Sequence, residues 1–519
     1  MIRTHLRDLR VPRDLYAVAA AVLLVTAAVL VGRPIQSAHH TLFVHWPPLL
    51  AEWDPHVGPG TPAAVLVAAA VVIHGPALAL RLPWRALLAA AWGTAMAWTW
   101  SLALVDGWQR GVAGRLTTPN EYLRVIGRFH DIPATLHDFT HHIVIGSPSP
   151  WPAHVSGHPA AATLTFVLLD RVGLGGGGWA GAWCITVGTT ACVAVLVAVR
   201  VLAGESLARR AAPFVVAAPA AVWVGASADG YFSAVAAWFV ALLALAVRGG
   251  ARPGWKAAAA VGSGLLFGLT CYLSYGLTLF ALIGAGVVLL GRARPGTLLR
   301  GLPLFLAGLA VVPVLFTVAG FDWWEAYRLL VTRYYQGAGG IRPYGYWVWA
   351  NLACTVLITG LATAAGLGRA CAAPARRRVR ATDGDDSGRG TDCTDSTDST
   401  DSTDSTDSTD STDSTDSDCA GATAGSVTGS RPGSRPGSLI GPVIGSRAEA
   451  RLAVLVFSAL LALLVADVSG MSKAETERIW LPFAMWLLPA CALLTRPRAW
   501  LAAQTVLALL LNHLLLTGW

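Results

Sequence analysis

Apolar runs long enough to cross a bilayer recur along this chain, separated by shorter polar stretches. Such a run needs about twenty residues to pass the roughly 30 Å hydrocarbon core as a helix. The pattern predicts spans near 15–32, 62–81, 86–105, 178–202, 211–225, 229–248, 256–273, 276–291, 301–319, 345–367, 451–468, 480–494 and 498–516. The fold class is therefore expected to be an all-α polytopic membrane protein with about 13 transmembrane helices. Two stretches interrupt the pattern. One is polar and runs from Asp106 to His158-Pro159; the other occupies 369–450.

The first run, Leu15 to Gly32, follows Arg3, Arg7, Arg10 and Arg13. Its length and the Arg33-Pro34 after it suit an uncleaved first helix better than a signal peptide. With the N-terminus cytoplasmic, the inner connections hold Arg81 and Arg85, Arg200 to Arg210, Arg248 to Lys256, and Arg292 to Arg300. That is the distribution expected of a multi-pass plasma-membrane protein. It requires that the apolar stretch Pro159 to Val172 stay on one side. At 1.5 Å per residue it reaches only about 21 Å, which suits an interfacial helix on the outer face. The outer connections are then 33–61, 106–177, 226–229, a turn near 274, 320–344 and 469–479. Most ionisable residues outside the inner arginine clusters fall on that face.

Composition agrees. Of 519 residues, 54% are hydrophobic and 13% charged, against about 25% charged in soluble domains. The net charge of +8 conceals two parts. Segment 369–450 holds 9 Arg and 14 Asp+Glu, leaving 29 basic and 16 acidic residues elsewhere. Because the arginine clusters lie between apolar runs, the excess reports topology and not nucleic-acid binding. Eight cysteines without paired spacing support neither a disulfide framework nor a zinc site. Arginine outnumbers lysine 36 to 2, which with the abundant Ala, Gly and Val resembles a GC-rich actinobacterial proteome. Within 369–450, Thr391 to Asp418 is a Thr-Asp-Ser array with nothing apolar to bury, expected to be a disordered cytoplasmic linker.

Candidate chemistry collects on the outer face. Asp106 emerges where its span ends, beside Gly107-Trp108, as a candidate base or ligand to a divalent metal such as Mg or Mn. A solvated helix-end acid is the plain alternative. Glu121 follows Pro119 at the start of a short interfacial helix, and Arg124, Arg128, His130 and Asp131 come after it. His137 and His141 have the spacing of a shared helical face but no HExxH around them. His154 and His158 close the loop, the latter in extended backbone before Pro159. Asp229 sits in a short turn between two apolar helices, where an acid needs a partner unless it only forms the turn. Lys473 and Arg478 can bind phosphate oxygens or enter a local ion-pair network. Loop 320–344 carries Trp and Tyr that suit either sugar faces or an interfacial belt.

In order and sidedness these residues resemble the glycosyltransferase C fold, in particular the protein-mannosyltransferase and aminoarabinose-transferase group (family 39-like). The resemblance covers 86–495. It rests on Asp106 heading the outer loop and on Gly157-His158-Pro159-Ala160-Ala161 closing it. Asp229 near a helix start and Glu477-Arg478-Ile-Trp-Leu-Pro482 complete it. Ala160 departs from the second proline of that group's His-Pro-Pro motif, which bears on acceptor binding. The resemblance implies an N-terminal addition over 1–85, a core over 86–368 with its outer loop at 106–177, the linker, and C-terminal helices over 451–519. It implies sugar transfer with inversion from a polyprenyl-phosphate donor to an extracytoplasmic glycan, lipid or protein. Asp106 and Asp229 would be catalytic, and Glu121, His158, Lys473 and Arg478 would bind substrate. A lipid or solute transporter is the main rival, although no internal repeat stands out and the polar groups favour one face. A non-catalytic membrane scaffold is the third reading.

Overall fold

The computed structural model describes residues 13–248, 252–291, 295–372 and 446–518; the Thr-Asp-Ser array and most of the 369–450 linker lie outside the described residues. The chain begins with α1 (Arg13–His39), a short β1 (Ala51–Trp53), α2 (Thr61–Arg81) and α3 (Trp84–Ala103). A loop of 3-10 turns follows, holding α4 (Ile132–His137), α5 (Ala153–Gly157) and α6 (Ala160–Arg171). Next come α7 (Gly177–Gly188), α8 (Ala191–Ala203), α9 (Glu205–Val216), α10 (Ala221–Val224), α11 (Ala228–Arg248) and α12 (Pro253–Leu273). They are followed by α13 (Phe280–Gly291), α14 (Pro295–Val318), α15 (Trp323–Gln336), α16 (Ala338–Ile341), α17 (Tyr344–Thr359) and α18 (Leu361–Ala372). The last part holds α19 (Ser446–Val468), α20 (Thr476–Ile479), α21 (Leu481–Ala484), α22 (Pro497–Leu514) and β2 (Leu515–Thr517). About 79% of the structure is helical, so the all-α class expected from the apolar pattern holds.

Among the described residues, eight helices are long and apolar enough to cross a membrane, or nine if α17 and α18 form one bent span. That is consistent with a multi-pass membrane protein. The other expected spans are present as shorter, broken or less apolar helices. Burial sorts the eight by place in the bundle: 67% of the apolar window of α11 is buried, against 11% in α14. Close helix contacts rest on small residues, since in an apolar solvent backbone proximity and packing replace the hydrophobic drive. A Cβ added at Gly264 of α12 would lie 1.9 Å from the Phe305 carbonyl oxygen of α14. One at Gly188 of α7 would come within 2.9 Å of the Gly230 backbone, which holds the start of α11 and its Asp229 against α7.

The expected span 211–225 is not one helix. Pro213 and Pro219 each lack an amide donor, and the chain unwinds between Val216 and Ala221. Its carbonyls are met from other helices: Gln504 Nε2 donates to Phe214 and Ala217, and Trp98 Nε1 donates to Ala218. Such re-satisfaction is what lets a helix break persist in an apolar setting. The expected span 345–367 bends by 107° at Gly360. Gly360 has φ +83, and a Cβ there would lie 3.2 Å from Gln504 and 3.3 Å from Pro219. The two breaks therefore share one packing centre.

The short strands close the molecule. β1 pairs antiparallel with β2, Ala51 opposite Thr517 and Trp53 opposite Leu515. This brings the 40–60 segment over the end of α3, where the polar loop begins.

Candidate functional site

The turn after α3 explains how Asp106 is surrounded. The helix tightens to a 3-10 turn at Leu104–Asp106, reverses at Gly107 with φ +77, and widens to a π-turn over Gln109–Ala113. Gly111 lies so close to the Ala103 carbonyl oxygen that a Cβ would be 1.7 Å from it. This reversal swings Arg115 back over the helix end. From the other side, Gly60 lies flat on α3 and Gly58 on the turn after it, their absent Cβ atoms 2.0 Å from Ser101 O and 1.9 Å from Val105 O. That approach delivers His56.

Asp106 is consequently clamped. Its Oδ1 is 2.8 Å from His56 Nε2, and its Oδ2 accepts from the Arg115 guanidinium at 2.9 Å, with Arg110 at 3.8 Å. Arg115 also donates to the Thr517 carbonyl at 3.0 Å, tying the clamp to β2. His56 Nδ1 faces the Asp54 carbonyl at 2.6 Å, so both ring nitrogens meet oxygen atoms. Burial holds the Arg115 guanidinium below its ordinary value, against the pull of Asp106.

A second cluster adjoins the first. Arg478, in α20, donates to Asp229 Oδ2 at 2.8 Å, and its guanidinium lies 3.6 Å from Glu475 Oε2. It also donates to His154 Nε2 at 3.3 Å. His154 Nδ1 lies 2.8 Å from Glu121 Oε1, so one imidazole bridges Arg478 and Glu121. Asp229 occupies the first turn of α11, where the helix dipole favours an anion, and its backbone amide donates to Ser227 Oγ at 3.2 Å. Burial opposes the charge of Arg478, yet Asp229, Glu475 and Glu121 outweigh it and hold its pKa above the usual range. Burial alone would raise Glu121, but His154 and Arg478 draw it below the ordinary carboxylate value.

Between the clusters lies a cavity of about 10 Å³, lined by Arg115, Glu121, Ser227 and Arg478. That is room for about one water molecule. Glu121 Oε2 is buried without a hydrogen-bond partner among the described residues. Two arginines and a carboxylate with one unpartnered oxygen therefore border one small space.

Comparison with protein-family models, with curated proteins and with solved structures finds no match to this chain. The arrangement has to be interpreted from its own chemistry.

Of the residues singled out in the sequence, Asp229 and Arg478 bond directly, Glu121 joins them through His154, and Asp106 adjoins through Arg115. His158 stands behind them: its Nδ1 donates to the His154 carbonyl at 2.8 Å, with the Tyr122 hydroxyl at 3.1 Å. Burial among Tyr122 and Phe232 lowers its pKa to about 4, so His158 props His154 as a neutral ring. Lys473 points elsewhere, donating to Gly339 O at 2.8 Å beside the Tyr335 ring. Its loop reaches the cluster through Arg342, which donates to the Lys473 carbonyl and to Glu475 at 3.0 Å. His137 and His141 do not form the pair their spacing suggested; His141 and His142 instead share Asp138, at 2.7 and 2.8 Å. The expected interfacial helix at Glu121 is a 3-10 segment over Tyr122–Arg128.

No group of three or more His, Cys, Asp or Glu with metal-binding geometry occurs among the described residues. The Asp106 oxygens already face two guanidiniums and an imidazole, which compete with a divalent cation for them. His56, Arg115 and Arg342 were not singled out from sequence. Each comes from a polar loop without periodicity, and no local spacing marks it.

Proposed function

We propose that this protein is a membrane glycosyltransferase that moves a sugar from a polyprenyl-phosphate donor to an extracytoplasmic acceptor with inversion. The observation that supports this reading is convergence. Glu121 and Arg478, from distant parts of the chain, line one cavity, Asp229 pairs with Arg478 beside it, and Asp106 adjoins through Arg115.

In this reading Arg115 and Arg478 exchange a carboxylate partner for the donor phosphate, since guanidiniums suit planar oxyanions. The acceptor oxygen forms its bond to the sugar carbon as the carbon–oxygen bond to phosphate breaks. The acceptor proton passes to the carboxylate released by that exchange, Asp106 or Asp229. The phosphate leaves with its developing charge held by the two guanidiniums, an electrostatic contribution of the kind that often dominates catalysis. No step uses a metal. The cavity of about 10 Å³ is too small for a sugar, so the reading requires opening on donor entry, in keeping with lids that close over such sites.

That same closure favours a second reading, a non-catalytic scaffold in which the paired charges serve only to lock the helices. Membranes supplied with radiolabelled polyprenyl-phosphate mannose, glucose, arabinose and galactosamine distinguish the two. Label transferred from one donor by the wild type, and not by Asp106→Asn at equal expression, supports the transferase. No transfer from any donor by the folded protein supports the scaffold.

A further inference from the structure

A large crevice lies away from these charges. It measures about 770 Å³ and is walled by Phe239 and Leu243 of α11, Phe267 of α12, Ala285 of α13 and Phe305 of α14. That size falls within the roughly 300–1,000 Å³ of ligand sites. Phe239 to Val247 follow Asp229 by ten to eighteen residues along α11, about 15 to 27 Å at the helical rise. The crevice is therefore a separate site in the far half of the same helix.

Its mouth is cationic. Lys256 and Arg300 line it, with Arg248 and Arg252 in the same connection between α11 and α12. Between Asp229 and Asp322 the sequence has six basic residues and no acid, so no carboxylate of that segment neutralises them. Arg248 is used structurally, donating to the Leu202 carbonyl. The walls are almost wholly apolar, and Ala285 and Leu302 leave side chains exposed to it. An apolar slot among membrane helices with two cations at its mouth has the chemistry of an anionic amphiphile.

We propose that this crevice holds an acyl chain of an anionic glycerophospholipid, its phosphate against Lys256 and Arg300. A chain moving in from the bilayer gains little from burial, because lipid tails are as apolar as the helices. The slot fixes where the lipid sits, and the cations select its headgroup. The proposal is independent of the transferase reading.

Native mass spectrometry of the purified full chain, with phosphatidylglycerol and phosphatidylcholine of identical chains, tests it. The expected result is one retained phosphatidylglycerol and weaker retention of phosphatidylcholine, by on the order of tenfold for two cations. Lys256→Ser with Arg300→Ser should reduce phosphatidylglycerol to the phosphatidylcholine level. Ala285→Trp, which fills the slot and leaves the charges, should also abolish retention, with thermal unfolding confirming that each variant is folded. Equal retention of the two lipids by the wild type would overturn the proposal. So would unchanged retention in Ala285→Trp, which would mean surface charge alone, or a preference for polyprenyl phosphate over phosphatidylglycerol.

Discussion

Arg478 and Asp229 form the most consequential pair in the molecule. Both side chains are 5% exposed, and they are 2.8 Å apart. A buried pair of this kind adds little net stability, but removing one partner strands the other charge at a cost of about 3–5 kcal/mol. Arg478→Leu should therefore unfold at a markedly lower temperature in detergent, whereas Arg478→Gln combined with Asp229→Asn should recover much of the loss. Single variants as stable as the wild type would mean that the pair is not buried in the native protein. Asp229 was recognisable in the sequence as an acid needing a partner; the identity of that partner was not, because nothing in a linear sequence joins α11 to α20. Glu477 gives a second test. Burial raises its pKa from 4.5 to about 7, despite the Leu50 amide donating to it at 2.9 Å and Arg478 nearby. The folded state then binds the proton more tightly than the unfolded chain, so this residue's contribution falls as pH rises from about 4.5 to 7, by about 3 kcal/mol. His158 opposes it, since its lowered pKa costs stability as pH falls from about 6.5 toward 4. The informative quantity is the difference between wild type and Glu477→Gln, which should decline through that window; parallel stability curves would remove Glu477 from the account.

At the scale of elements, backbone contact decides which substitutions are tolerated. Gly264 and Gly254 lie on the same helix, yet a Cβ at Gly264 meets Phe305 O at 1.9 Å while one at Gly254 meets nothing within 4 Å. Gly264→Ala should force α12 and α14 apart at a cost of about 1–3 kcal/mol. Gly254→Ala should be neutral, or stabilising by up to about 1 kcal/mol through helix propensity. Equal melting temperatures for the two variants would contradict the packing described. The long apolar helices were legible from hydropathy because length and composition alone define them. The breaks were less so. Pro219 and Gly360 hint at irregularity, but whether a chain unwinds there depends on a distant Gln504 able to satisfy the freed carbonyls. The reversal after Asp106 was also hidden, since it depends on Gly60 and Gly111 meeting α3 and Gly58 meeting the turn after it.

For the whole molecule, two strands of three residues tie the segment before α2 to the end of α22, and Thr517 of that pair holds Arg115. The chemistry of the clamp thus depends on both ends of the bundle. The arginine distribution predicts that the Asp106 loop and the crevice mouth face opposite sides of the membrane. Of single cysteines replacing Ser149 and Arg300, in a background lacking native thiols, the first should react with impermeant maleimide in intact cells and the second only after the cells are permeabilised. Labelling of both from one side would reverse part of the topology. The central claim, sugar transfer at the Arg115–Arg478 cavity, is tested most directly by mass balance in proteoliposomes. Purified wild-type protein, given its preferred polyprenyl-phosphate sugar and an acceptor, should release one polyprenyl phosphate per sugar transferred, and the Arg478→Gln, Asp229→Asn variant none while remaining folded. No release by the wild type, or equal release by the neutralised variant, would contradict the account.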